Sequence, residues 1–222
     1  MSQSIVPQLV LKDLRLASPV MAGALILGVL SLALSPWSAV AFFVGGSVLI
    51  VALILLNIML VTASLMTERK EKTRVFMLSM PVSTTQYFVS KLLSSLIAYL
   101  VPAALLTIGG VLLLLATPLP DGFIPLFVAT SAHCLLYFCV FLAFALVTDS
   151  QGWITTVIVC GNVSLSFLIP GLINLSSLGP NLPREAVVWG SDVVALIAVE
   201  GVIAVAALAI SFLVNSKKTE FV

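Results

Sequence analysis

Two ionisable side chains stand alone in long apolar runs: Glu200 in DVVALIAVEGVIAVAAL and His133 in FVATSAHCLLYF. A carboxylate and an imidazole can exchange a proton, hold a cation, or pair with each other if their helices meet. In hydrocarbon such groups turn to a protein interior, a wet cavity or a partner, and are read by default as functional. Glu200 sits about seven residues into its run, roughly 10 Å deep at 1.5 Å per residue, and His133 lies at comparable depth. Three roles stay open for Glu200: helix assembly, substrate contact or gating, and proton coupling. A His133–Glu200 contact is one arrangement among several, because nothing in the sequence places the two helices side by side.

Other reactive chemistry is thin. Cys134, Cys139 and Cys160 lie in apolar stretches without metal-ligand partners at a useful spacing, and read as buried thiols. GxxxxGK[ST], HExxH, CxxC and paired carboxylates are all absent, so no nucleotide, metal or other cofactor is expected on this chain. Transport fits better than catalysis. Uphill transport would draw on an ion gradient, with Glu200 at its centre, or on another polypeptide.

The elements that must position these residues are membrane helices. Of 222 residues, 61% are hydrophobic and 9% charged, with a mean hydropathy of +1.24, against about 25% charged in soluble domains. A net charge of +1 gives no pull toward nucleic acid. Crossing the hydrocarbon takes roughly 20 apolar residues. Six stretches serve, at about 20–34, 39–66, 92–116, 124–147, 153–173 and 193–214, the first short unless it borrows from Leu16 and Ala17 or from Pro36 and Trp37, within one membrane domain over 1–222. Six crossings put Lys12, Arg15, Arg69, Lys70, Lys72, Arg74, Lys91, Lys217 and Lys218 on one side and leave Arg184 opposite. The positive-inside rule then makes both termini cytoplasmic. No removable signal peptide is expected from MSQSIVPQLVLKDLRL.

Before the first span, Val10, Leu11, Leu14 and Ala17 share one helical side and Gln8, Lys12 and Arg15 the other, the pattern of a short interfacial helix. Residues 67–91, TERKEKTRVFMLSMPVSTTQYFVSK, form the longest cytoplasmic connection. Val75, Phe76, Leu78 and Met80 follow its charge cluster, so an apolar surface should receive them. Pro81 breaks the helical pattern, and Ser83 and Gln86 have capping-box spacing for a fresh helix leading into the third span. The result is an elbow able to pass a push from a cytoplasmic partner into the bundle. Gly45-Gly46 and Gly109-Gly110 should permit close helix approach or bending, and Asn162 and Ser164 should act as packing glue. Between Asn174 and Asp192, Leu178, Val187, Val188 and Trp189 suggest turns or short helices lying against the outer interface.

At the elbow the chain resembles the permease subunits of type-2 ABC exporters. Glu68, Arg69 and Thr73 match that family's E-[KR]-x-x-G-T run, with Lys72 at the usual glycine. Leu78-Ser79-Met80-Pro81-Val82-Ser83 matches L-x-x-L-P-[VL]-S, with Met77 and Met80 where leucines usually precede the proline, and Lys91 follows downstream. The resemblance implies an all-α integral membrane protein with six transmembrane helices, an interfacial N-terminal helix and a cytoplasmic coupling elbow. It implies a lipid-embedded dimer with an identical or homologous second permease, in a prokaryotic plasma membrane. Cytoplasmic ATP-binding subunits would carry ATP and Mg and grip Glu68, Arg69, Glu71, Thr73, Arg74, Phe76, Leu78, Met80 and Pro81. The cargo would be a peptide, drug or other amphiphile, with His133 and Glu200 in the pathway or its gate.

Overall fold

A computed structural model describes residues 5–62, 84–148 and 150–217. Low dielectric forces a spanning backbone to satisfy its own hydrogen bonds, and the apolar runs accordingly become helices. These are α1 (Ile5–Leu34), α2 (Ala39–Val61), α3 (Thr84–Ala116), α4 (Phe123–Val147), α5 (Gln151–Ile173) and α6 (Ser191–Ser216). All six are long and apolar enough to cross a membrane. Short turns join α1 to α2 and α3 to α4. The chain therefore runs up and down, and both ends of the described chain lie at one end of the bundle, the terminal end.

Over the described residues the spans agree with those read from sequence, except at the beginning. Residues 8–17 are helical, with Gln8, Lys12 and Arg15 exposed, but they run without a break into the first span. Leu11 faces outward rather than sharing the packed side. Pro19 lies inside α1, and its ring leaves the carbonyl of Arg15 without the usual i+4 amide donor. The Ser18 hydroxyl donates to that carbonyl at 2.7 Å, and the helix continues. Thirty residues at 1.5 Å make α1 about 45 Å long, against about 30 Å of hydrocarbon. The described part of helix α3 runs from Thr84 to Ala116 and contains Pro102. Ser83 itself lies outside the described residues.

Helix α4 is the centre of the packing. Half of its spanning window is buried, against 11% for α5 and 17% for α6, and it touches α2, α3, α5 and α6. Tyr99 of α3 stacks on Phe138 of α4 with ring centroids 4.1 Å apart, in a cluster with Leu56, Phe141, Leu142 and Ala145. Helix α1 packs on α2 and α3. Of the glycine pairs, Gly45 meets the Ser31 carbonyl and Ser35 closely, while Gly46 faces open space. Gly110 abuts the Phe127 ring, and Gly109 makes only ordinary contact with Leu32. Ser31 Oγ donates to the Gly45 carbonyl at 2.5 Å, fastening α1 to α2 at the far end.

The segment between α5 and α6 closes the far end. Leu178 is fully buried against Ala129, Leu172 and Val193, whereas Val187 and Trp189 are exposed. Its short 3-10 turn, Gly179–Asn181, leads to Arg184, whose carbonyl accepts from the Gly122 amide at 3.0 Å. Gly122 has no side chain because the Asn181 and Leu182 carbonyls occupy that space.

Candidate functional site: a polar junction of α4, α5 and α6

His133, Ser164 and Glu200 come from three helices and meet at one depth. His133 is ten residues from the start of α4, Ser164 nine from the end of α5, and Glu200 nine from the start of α6. At 1.5 Å per residue all three lie about 14–15 Å from the far end, the middle of the hydrocarbon. Glu200 is thus deeper than the sequence suggested, since α6 begins at Ser191 rather than near Val193.

His133 Nδ1 lies 2.6 Å from Glu200 Oε1, and Nε2 lies 2.9 Å from Ser164 Oγ. Ser164 donates its own proton to the Gly161 carbonyl at 2.7 Å. Glu200 is 4% exposed, and its Oε2 finds no hydrogen-bond partner among the described residues. Of the contacts open at the sequence level, the structure brings His133 and Glu200 together. Ser164 is a cross-helix contact, but Asn162 bonds only its own helix, at the Ile158 carbonyl (2.8 Å). A second tie binds α5 to α4: Tyr137 donates to the Ile158 carbonyl at 3.3 Å, and its ring lies where a side chain at Gly161 would project.

A second polar junction lies at the terminal end. Lys91 Nζ and Asp13 Oδ2 are 2.9 Å apart, with side chains 2% and 7% exposed. The Ser94 hydroxyl lies 3.3 Å from the same carboxylate oxygen, and the ammonium sits 5.8 Å from the Tyr87 ring centre. Lys91 is therefore a buried link between α1 and α3, not a surface anchor of the basic cluster. The signal for it was present in the sequence. Asp13 is the only acid before Glu68, and it shares a helical ridge with Leu9 and Ala17, an acid placed on the packed side.

Asn57 of α2 is 1% exposed, and neither Nδ2 nor Oδ1 finds a partner among the described residues. A buried amide without partners destabilises the state that contains it. Asn57→Leu, of similar shape, should stabilise the fold by about 1–2 kcal/mol, read from its unfolding by SDS in mixed micelles.

An apolar cleft of about 390 Å³ lies toward the far end among α2, α4 and α5, with Leu182 above it. Phe42, Ile50, Phe123, Phe127 and Ile169 line it. The hydroxyls of Ser47, Thr130 and Ser131 on its wall each donate to their own helix four residues back, so the wall is effectively apolar. Its volume falls within the range of small-ligand pockets. The elbow residues Glu68, Arg69, Glu71, Thr73, Arg74, Phe76, Leu78, Met80 and Pro81 lie outside the described residues.

A family model described as "ABC-2 family transporter protein" matches residues 30–215, from the end of α1 almost to the end of α6. Neither the curated proteins nor the solved structures contain a match to this chain. The family match covers most of the chain and takes in α2 to α5 entire and all of α6 but its last residue. The chain belongs to the ABC-2 transporter family, as a multi-pass membrane permease of an ABC transporter.

Proposed function

We propose that this chain is the permease subunit of an ATP-driven exporter for an amphiphilic cargo such as a peptide or drug. The observation that carries the reading is the family match over residues 30–215. Membership implies an ATP-binding partner, and the charged-then-apolar run at 68–81 is the surface that suits it. Two cytoplasmic ATP-binding subunits carrying ATP and Mg engage Glu68, Arg69, Glu71, Thr73, Arg74, Phe76, Leu78, Met80 and Pro81. A second permease, identical or homologous, completes the pathway. The terminal end of the bundle faces the cytoplasm, and the assembly sits in a prokaryotic plasma membrane. The apolar cleft suits the hydrocarbon portion of a cargo. His133 and Glu200 form a gate, because opening α4 from α6 would have to break their contact.

Co-purification tests this directly. The wild-type chain in mild detergent should bring down a separate ATP-binding protein. Phe76→Asp, which forces a charge into an apolar contact, should reduce its recovery at least about tenfold while the chain stays folded. Equal recovery with the variant would remove the elbow from the coupling surface. If no ATP-binding protein appears even after crosslinking, a gradient-driven transporter takes precedence. The buried His133–Glu200 pair at mid-membrane depth is the observation that favours that second reading.

A further inference from the structure

The hydrogen-bond pattern around His133 constrains where protons reside. Ser164 has one hydroxyl proton, and it goes to the Gly161 carbonyl. With the proton so directed, Ser164 Oγ accepts from His133, and Nε2 carries the hydrogen between them. Nδ1 then faces Glu200 Oε1 at 2.6 Å in one of two ways. A doubly protonated ring can donate to a carboxylate, or a neutral ring can accept from a protonated carboxyl group. Either way one proton lies between Nδ1 and Oε1, and the pair as a whole is uncharged.

Among the described residues, nothing else nearby could neutralise the carboxylate. Helices α4, α5 and α6 contain no lysine or arginine. The other ionisable side chains on these three helices are Cys134, Tyr137 and Cys139 of α4, Cys160 of α5 and Asp192, two turns away on α6. Each is an acid, neutral or negative, and none supplies a positive charge. With Oε2 buried and unpartnered, a carboxylate that lost the shared proton would be an isolated charge in the middle of the membrane.

We infer that the His133–Glu200–Ser164 junction is a proton-binding site. It holds one proton between Nδ1 and Oε1, and the contact among α4, α5 and α6 depends on that proton. This builds on the reading of His133 and Glu200 as a gate, but it concerns the chain alone and stands or falls independently of any ATP-binding partner. Transfer of the shared proton to water leaves a neutral ring, still protonated at Nε2, beside an uncompensated carboxylate. The cost of keeping that charge out of water, with the Nδ1 lone pair facing it, then favours separation of α6 from α4.

The test uses the fact that His133 is the only histidine in the chain. Nitrogen-15 labelling at histidine of the full chain in lipid bilayers gives one ring to observe by solid-state NMR. The expected wild-type spectrum has a protonated Nε2 together with an Nδ1 shifted by a shared proton. On raising the pH, Nδ1 should lose that proton in a single step, with release of one proton per chain, while Nε2 keeps its own. Glu200→Gln should abolish the step and leave Nδ1 bare over the range where wild type holds the proton. A neutral wild-type ring protonated at Nδ1 and bare at Nε2 would overturn the inference. So would a Glu200→Gln spectrum identical to wild type. If that variant fails to fold, the tautomer of the wild-type ring decides the matter alone.

Discussion

His133→Leu should destabilise the folded chain by about 3–5 kcal/mol, the range for removing one partner from a buried pair. Leucine fills much of the space but offers no polar atom. Glu200 would then lose the contact at Oε1 and have both oxygens buried without partners, since Oε2 already lacks one. Ser164 would lose its contact with α4 but keep its bond to Gly161, adding little to the cost. The double variant His133→Leu/Glu200→Leu should recover most of the loss, because the destabilising object is the stranded carboxyl group rather than the missing imidazole. SDS unfolding of wild type, both single variants and the double variant closes the cycle. Equal instability in the double variant and in His133→Leu would show that the pair's shape, not its polarity, holds the junction.

Lys91→Met should cost about 3 kcal/mol by the same logic. Methionine keeps much of the stem's packing while removing the ammonium 2.9 Å from Asp13. Asp13 would retain only the longer contact with Ser94, at 3.3 Å, inside a side-chain environment 7% exposed. Asp13→Leu/Lys91→Met should return to within about 1 kcal/mol of wild type, because a well-packed apolar pair often replaces a buried ion pair without loss. The two junctions should also be additive. Their sites lie on different helices and at different depths, so a combined His133→Leu/Lys91→Met chain should show the sum of the separate costs to within about 0.5 kcal/mol. A large departure would reveal communication between the terminal end and the middle of the bundle.

Sequence carried the helices well, because in a membrane the span is a one-dimensional property. Length and apolar composition set it, and α2, α4 and α5 begin or end within a few residues of where their apolar runs do. The pairing of spans is different. Glu200 and His133 are conspicuous in isolation, but no periodicity says that α4 rather than α2 or α3 lies beside α6. Asn57 was hidden for a related reason. An asparagine among leucines can face a neighbour, lipid or a wet path, and only the packing reveals that it is buried with neither end of its amide engaged. Sequence alone gives Lys91 only a place among the basic residues beside the spans. Its carboxylate partner lies 78 residues away, on a helix whose pattern reads as interfacial. The continuity of that helix through Pro19 was likewise illegible, since a proline alone reads as an interruption until Ser18 is seen taking up the carbonyl it leaves.

The two fastenings on α1 give that helix a mechanical character. Ser31 ties it to α2 near the far end, and Asp13 ties it to α3 near the terminal end. Eighteen residues separate them, a rod of about 27 Å. With the far fastening as pivot, a tilt of about 5° would displace the Asp13 end by about 2 Å on that length. Such a displacement would exceed what a 2.9 Å ion pair tolerates, so α3 must travel with α1 or the pair must part. Pro19 lies between the two fastenings, where one backbone hydrogen bond is replaced by a side-chain substitute. Bending stiffness is therefore lowest at that point. Strain applied at α3 would be absorbed there as flexure before it reached Ser31, making α1 a jointed strut whose upper part stays still while its lower part swings.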